Sequence, residues 1–160
     1  MKTVFAPGCA LFLYKPHMAK KMTTVLSREF AEIEEHRTCC RHDPKLPEGT
    51  RIINTCAGCD RRYRELYEGV STVSFWELLA ASESFPFPDY KQRKMSILDA
   101  CPTRDQGRVH QAIRTLLSRM NIDLVEPEKT TTRATCCGED RKSTRLNSSH
   151  VKRSRMPSSA

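Results

Sequence analysis

Arg51-Ile52-Ile53-Asn54-Thr55-Cys56-Ala57-Gly58-Cys59-Asp60 reads as a short, apolar strand that runs straight into a Cys-x-x-Cys turn. Tyr63, Leu66 and Tyr67 follow at helical spacing, so a helix opens at the cysteines. The same plan lies on either side. Upstream, Lys2–Ala6 is a short apolar strand ending at Pro7-Gly8-Cys9. After Pro16, the residues Met18, Met22, Val25, Leu26, Phe30 and Ile33 recur every three or four positions, which predicts one long helix with its methionines packed in the core. Downstream, Val70–Trp76 reads as a strand turning into a helix over Glu77–Ala81. Met95–Leu98 reads as a strand ending at Asp99-Ala100-Cys101-Pro102, and Thr103 with Gln106 forms a capping-box pattern ahead of the apolar face Val109, Ala112, Ile113, Leu116, Leu117 and Met120. Ile122–Val125 is the next strand, and the chain runs on to Thr135-Cys136-Cys137-Gly138.

Side by side, the halves repeat strand, turn with a lone cysteine, amphipathic helix, acidic segment and Thr-Cys-Cys. Cys9 precedes Cys39-Cys40 by 30 positions, and Cys101 precedes Cys136-Cys137 by 35. This spacing reads as an interrupted internal duplication. Strands alternating with helices predict an α/β fold of two similar strand–helix cysteine-rich repeats with short parallel sheets, the second repeat incomplete. The boundaries are 1–81 for the first repeat, 82–93 for a Pro-containing linker, 94–140 for the second repeat and 141–160 for a tail. The cysteines fall in loops just after strands, where open α/β sheets place their sites.

The chain holds 27 Lys and Arg against 19 Asp and Glu, a net charge of +8. Six of those basic residues and no acid lie in 141–160, so the first 140 residues carry only +2. The basic signal belongs to the tail, whose serine-rich sequence has no helical or strand period and reads as disorder. It resembles translated library-adapter sequence, and the native reading frame is expected to depart from it near Gly138 or Asp140. A nucleic-acid partner, which would rest on the tail alone, is therefore not expected. No run approaches the roughly 18–20 apolar residues of a membrane span. Pro7 and Gly8 interrupt the N-terminal apolar stretch too early for a signal peptide. The expected location is the cytoplasm, where eight cysteines are metal ligands or redox thiols rather than structural disulfides.

Cys56 and Cys59 alone admit a thioredoxin-like dithiol, half a zinc site or half an iron–sulfur site. Adjacent cysteines bond to each other only through a strained ring, so Cys39-Cys40 and Cys136-Cys137 read as ligands. Zinc takes four ligands, and Cys39, Cys40, Cys56 and Cys59 suffice for it, leaving Cys9 surplus. The repeat, however, puts a lone cysteine at the same point of both halves. A multi-iron cluster accommodates a fifth thiolate as a bridge, whereas one zinc does not.

Phe5-Ala6-Pro7-Gly8-Cys9, Thr38-Cys39-Cys40, Asp99-Ala100-Cys101-Pro102 and Thr135-Cys136-Cys137-Gly138 resemble the cysteine-rich CCG domain of heterodisulfide reductase and related iron–sulfur oxidoreductases. The resemblance covers roughly residues 2–140. It implies that Cys9, Cys39, Cys40, Cys56 and Cys59 bind a four-iron four-sulfur cluster of non-cubane type. Cys101, Cys136 and Cys137 would belong to a second site that lacks its Cys-x-x-Cys. Arg41 stands where the family has Gly, and the 15 residues between Cys40 and Cys56 are fewer than the family has. The implied activity is that of one component of an oxidoreductase, transferring electrons and reducing a disulfide substrate beside partner subunits that carry flavin or iron–sulfur clusters. The alternative is a zinc-stabilised binding module without redox activity.

The other polar candidates are weaker. His36 and His42 flank the first Cys-Cys pair and read as solvated loop residues, with proton donation or ligation as the sharper alternative. His17 and His110 read as surface residues of helices, and Asp99 and Asp105 as capping or exposed groups.

Overall fold

The computed structural model of the chain describes residues 2–30 and 33–135. In order these form β1 (Thr3–Ala6), α1 (Cys9–Tyr14), α2 (Pro16–Leu26), β2 (Glu34–Glu35), β3 (Arg51–Asn54), α3 (Ala57–Leu66), β4 (Ser71–Ser74), α4 (Phe75–Ala81), β5 (Arg93–Ser96), α5 (Gly107–Arg119) and β6 (Ile122–Val125). Short 3₁₀ turns at Cys101–Thr103 and Thr131–Arg133 flank α5 and β6. The fold is α/β, with a four-stranded parallel sheet in the order β2-β1-β3-β4 and a separate parallel pair, β5-β6.

Val4-Phe5-Ala6 of β1 and Ile52-Ile53 of β3 are unbroken apolar runs because both faces of the sheet are covered. Val4, Ala6 and Ile52 pack on Cys59 and Tyr63 of α3, while Phe5 and Ile53 pack on Leu26 of α2 and Phe75 of α4. Val4, Phe5, Ile52 and Ile53 are each at most 1% exposed, and burial of each such side chain contributes about 1.5–3 kcal/mol. Ser74 caps α4, its hydroxyl accepting from Trp76 N while Glu77 bonds back to Ser74 N.

The helix expected from Pro16 begins there but is shorter than its apolar face implied, and a further short helix, α1, precedes it. Pro16 forces Lys15 out of the helical region (φ −141°), which ends α1, and then occupies the first turn of α2. α2 stops at Leu26 because the chain must be extended by Glu34 to pair with Val4. Phe30 and Ile33 nevertheless pack beneath the sheet with Met22. Met18, expected in the core, is 41% exposed.

In the second half, the strand expected over Met95–Leu98 is shifted to Arg93–Ser96, and Leu98 lies 75% exposed. The order strand, lone cysteine, helix, parallel strand recurs as β5, Cys101, α5 and β6, as in β1, Cys9, α1–α2 and β2. α5 packs on α4, and Arg119 bonds the Ala80 and Ser82 carbonyls while lying over the Phe87 ring at 4.2 Å. These contacts fasten the segment 82–92 to α5.

Three polar expectations do not hold. Thr103 and Gln106 form no capping box: Thr103 donates to the Ala100 carbonyl and pairs with His110 Nε2 at 3.0 Å. That contact takes His110 off the surface and leaves it 4% exposed. Asp99 is neither a cap nor exposed, at 5%. It takes two bonds from Arg114 and one each from Thr130 and Thr131 N, and these hold its carboxyl well below the usual carboxylate range. Asp105 is exposed and pairs with Arg64, and His17 is exposed as read. Among the described residues, no helix is long and apolar enough to cross a membrane.

Candidate functional site

β1 is followed by a move to one side of the sheet (β2) and the chain then crosses to the other (β3), so the order reverses between β1 and β3. The crevice outside the carboxyl ends of strands at such a reversal is where open α/β sheets bind their ligands. Cys9 lies after β1, Cys39 and Cys40 after β2, and Cys56 and Cys59 after β3.

The loops are tied together closely. Thr55 Oγ1 donates to the Pro7 carbonyl at 2.7 Å. Gly8 (φ 81°, ψ 146°) lets the β1 loop press against Cys56 and turn into α1, whose first residue is Cys9. The Cys39-Cys40 loop is held from α3: Arg62 Nε donates to the Cys40 carbonyl at 3.1 Å and the Tyr67 hydroxyl to the His42 carbonyl at 2.9 Å. Cys56 is the N-cap residue of α3 and Cys59 lies in its first turn.

Cys9, Cys39, Cys40 and Cys59 line one cavity of about 160 Å3 with Phe12, His36 and Tyr63. Cys56 joins the group through a hydrogen bond with Cys59, which also bonds Cys40. The hydrogen bond to Cys56 and then burial push the Cys59 thiol far up, and burial raises Cys40. As placed, these two are protonated thiols, poor nucleophiles until a metal displaces the proton.

All five cysteines of the first set therefore meet at one place. Among the described residues no three His, Cys, Asp or Glu side chains are set to hold a metal ion. Cys101 stands apart, half-buried at the start of the 3₁₀ turn that packs on α3. Cys136 and Cys137 lie outside the described residues, as does the basic tail.

Of two further residues of the cavity, Tyr63 carried no functional signal in the sequence and His36 carried one only as the alternative to a solvated loop residue. Tyr63, 1% exposed, has its phenol pushed up by burial and by the neighbouring thiols. His36, read as solvated, is half-buried edge-on to Tyr63, and its Nε2 is buried with no hydrogen-bond partner. Burial lowers its pKa. His42 is exposed, as read. The chain matches no family model, no curated protein and no solved structure.

Proposed function

We propose that this chain is an iron–sulfur redox protein of the heterodisulfide reductase type, with Cys9, Cys39, Cys40, Cys56 and Cys59 as ligands of a four-iron four-sulfur cluster. The observation that carries the reading is the meeting of these five cysteines at the reversal point of the parallel sheet, four of them around one cavity. When bound, the cluster would supply single-electron transfer. The chain's own contribution is to present five sulfurs from three loops, to exclude water with Tyr63 and Phe12, and to place His36 beside them. Reducing a disulfide to two thiols at this site takes two electrons from partner subunits carrying flavin or iron–sulfur clusters, and two protons. Cys101, Cys136 and Cys137 are assigned to the second repeat's site, and the location proposed is the cytoplasm.

Anaerobic reconstitution with ferrous iron and sulfide tests the reading. The expected result is roughly four irons and four acid-labile sulfides per chain, with a large loss of both in Cys39→Ala and Cys56→Ala. Protein that refuses iron but retains one tightly bound zinc through the same cysteines would replace it with the zinc-stabilised module.

A further inference from the structure

Beside the thiol cavity, on the other flank of α1, runs a wider groove of about 690 Å3. Leu11, Met18, Met22 and Trp76 line it, and Cys56 is among its other lining residues. α1 has no buried residue, and Leu13, Tyr14 and Met18 are 75%, 83% and 41% exposed. Met18 stands on the groove wall whereas Leu13 and Tyr14 lie outside it, so the apolar surface open to a partner there is that of Leu11, Met18, Met22 and Trp76. The rim is basic. Lys15 and His17 line the groove, and Lys21 follows Met18 by three positions on the same flank of α2. Lys20 lies close enough to Glu35 to lower its pKa, whereas no ion pair among the described residues uses Lys15 or Lys21. No Asp or Glu occurs from Met1 to Arg28, and among the described residues none lines the groove.

We propose that this groove docks an acidic, amphipathic helical segment of a partner protein, its apolar face seated on Met18, Met22 and Trp76 and its carboxylates on Lys15 and Lys21. Charge selects the occupant. The chain's own residues 141–160 carry six basic groups and no acid, so they are repelled by the same rim. A concave groove fits the ridge of a helix, whereas a bilayer surface calls for a convex apolar face. The proposal stands whatever the thiols hold, although Cys56 also lines the groove.

The test uses the whole chain and a fluorescent peptide of roughly 14 residues with Leu at helical i, i+3, i+4 and i+7 and Glu elsewhere. Saturable binding is expected, read by peptide anisotropy and by a shift in emission of Trp76, the single tryptophan. The Lys15→Glu/Lys21→Glu double variant should bind about tenfold or more weakly, and Met18→Asp, at an exposed position, likewise. Should the double variant not fold, about 0.5 M salt on the unaltered protein should weaken binding similarly. Iron-free Cys39→Ala protein should bind the peptide unchanged, which separates this surface from the cluster. The proposal is overturned by no binding, by equal binding of the peptide with Lys in place of Glu, or by insensitivity to the charge reversal. It is also overturned by binding to phosphatidylserine vesicles in place of the peptide, or by a dimer in sedimentation that Met18→Asp dissolves.

Discussion

A side chain built on Gly8 would bring its Cβ to 3.2 Å from the Cβ of Cys56. The loop after β1 and the start of α3 therefore lie so close that a methyl group would have to push Cys56 back by a few tenths of an ångström. Gly8 also adopts φ 81°, which L side chains rarely take. Gly8→Ala is expected to lose about 1–3 kcal/mol of stability, seen as a lower urea midpoint, and to bind less iron after reconstitution.

The Thr55 hydroxyl ties the same two loops through the Pro7 carbonyl. Thr55→Val keeps the shape and removes the donor, which should cost about 1 kcal/mol. Because α3 itself is untouched, far-ultraviolet circular dichroism should not change while the urea midpoint falls.

Arg114 is the hub of the second half, bonding Asp99, Glu126, Thr130 and the His110 carbonyl. Its removal strands Asp99, whose side chain is 1% exposed. Arg114→Ala is therefore expected to lose about 3 kcal/mol or more. The same change at Arg61, whose ion pair among the described residues is with exposed Glu65, should leave the urea midpoint nearly where it was.

What the sequence disclosed depended on whether side chains or backbone set the structure. Ile52-Ile53 declares a doubly covered strand, and the cysteines at strand ends declare the site. β2 was hidden because Glu34 and Glu35 show no apolar pattern. They belong to the sheet through backbone pairing with Val4 and Phe5, continued by His36 N to the Phe5 carbonyl at 2.7 Å. His110 and Asp99 were misread because their partners, Thr103 and Arg114, are chosen by tertiary packing. Tyr63 looked like any aromatic residue on a helix face, and only the fold puts it among the thiols.

Glu35 offers a pH test away from the thiols. The hydrogen bond from Thr23 is the main cause of its lowered pKa, with Arg37 assisting. A folded pKa below the unfolded value of about 4.3 means that this stabilisation is complete above that pH and is lost as pH falls through the folded pKa. Glu35→Gln should thus be less stable than the unaltered protein at pH 7, by under about 1 kcal/mol since Arg37 is largely exposed. The gap in urea midpoint should close toward pH 3.

Cys9 and Cys59 separate ligation from packing. Cys9 is exposed, whereas Cys59 is 6% exposed within the core formed with Val4, Ile52 and Tyr63. In iron-free protein, Cys9→Ala should leave the urea midpoint unchanged, while Cys59→Ala should lose about 1 kcal/mol for the buried sulfur. If the proposed ligand set holds, both variants should hold less iron and sulfide after anaerobic reconstitution than the unaltered chain. If Cys9→Ala kept its full iron content, Cys9 would be removed from the ligand set, and the remaining four cysteines would be those that also satisfy zinc.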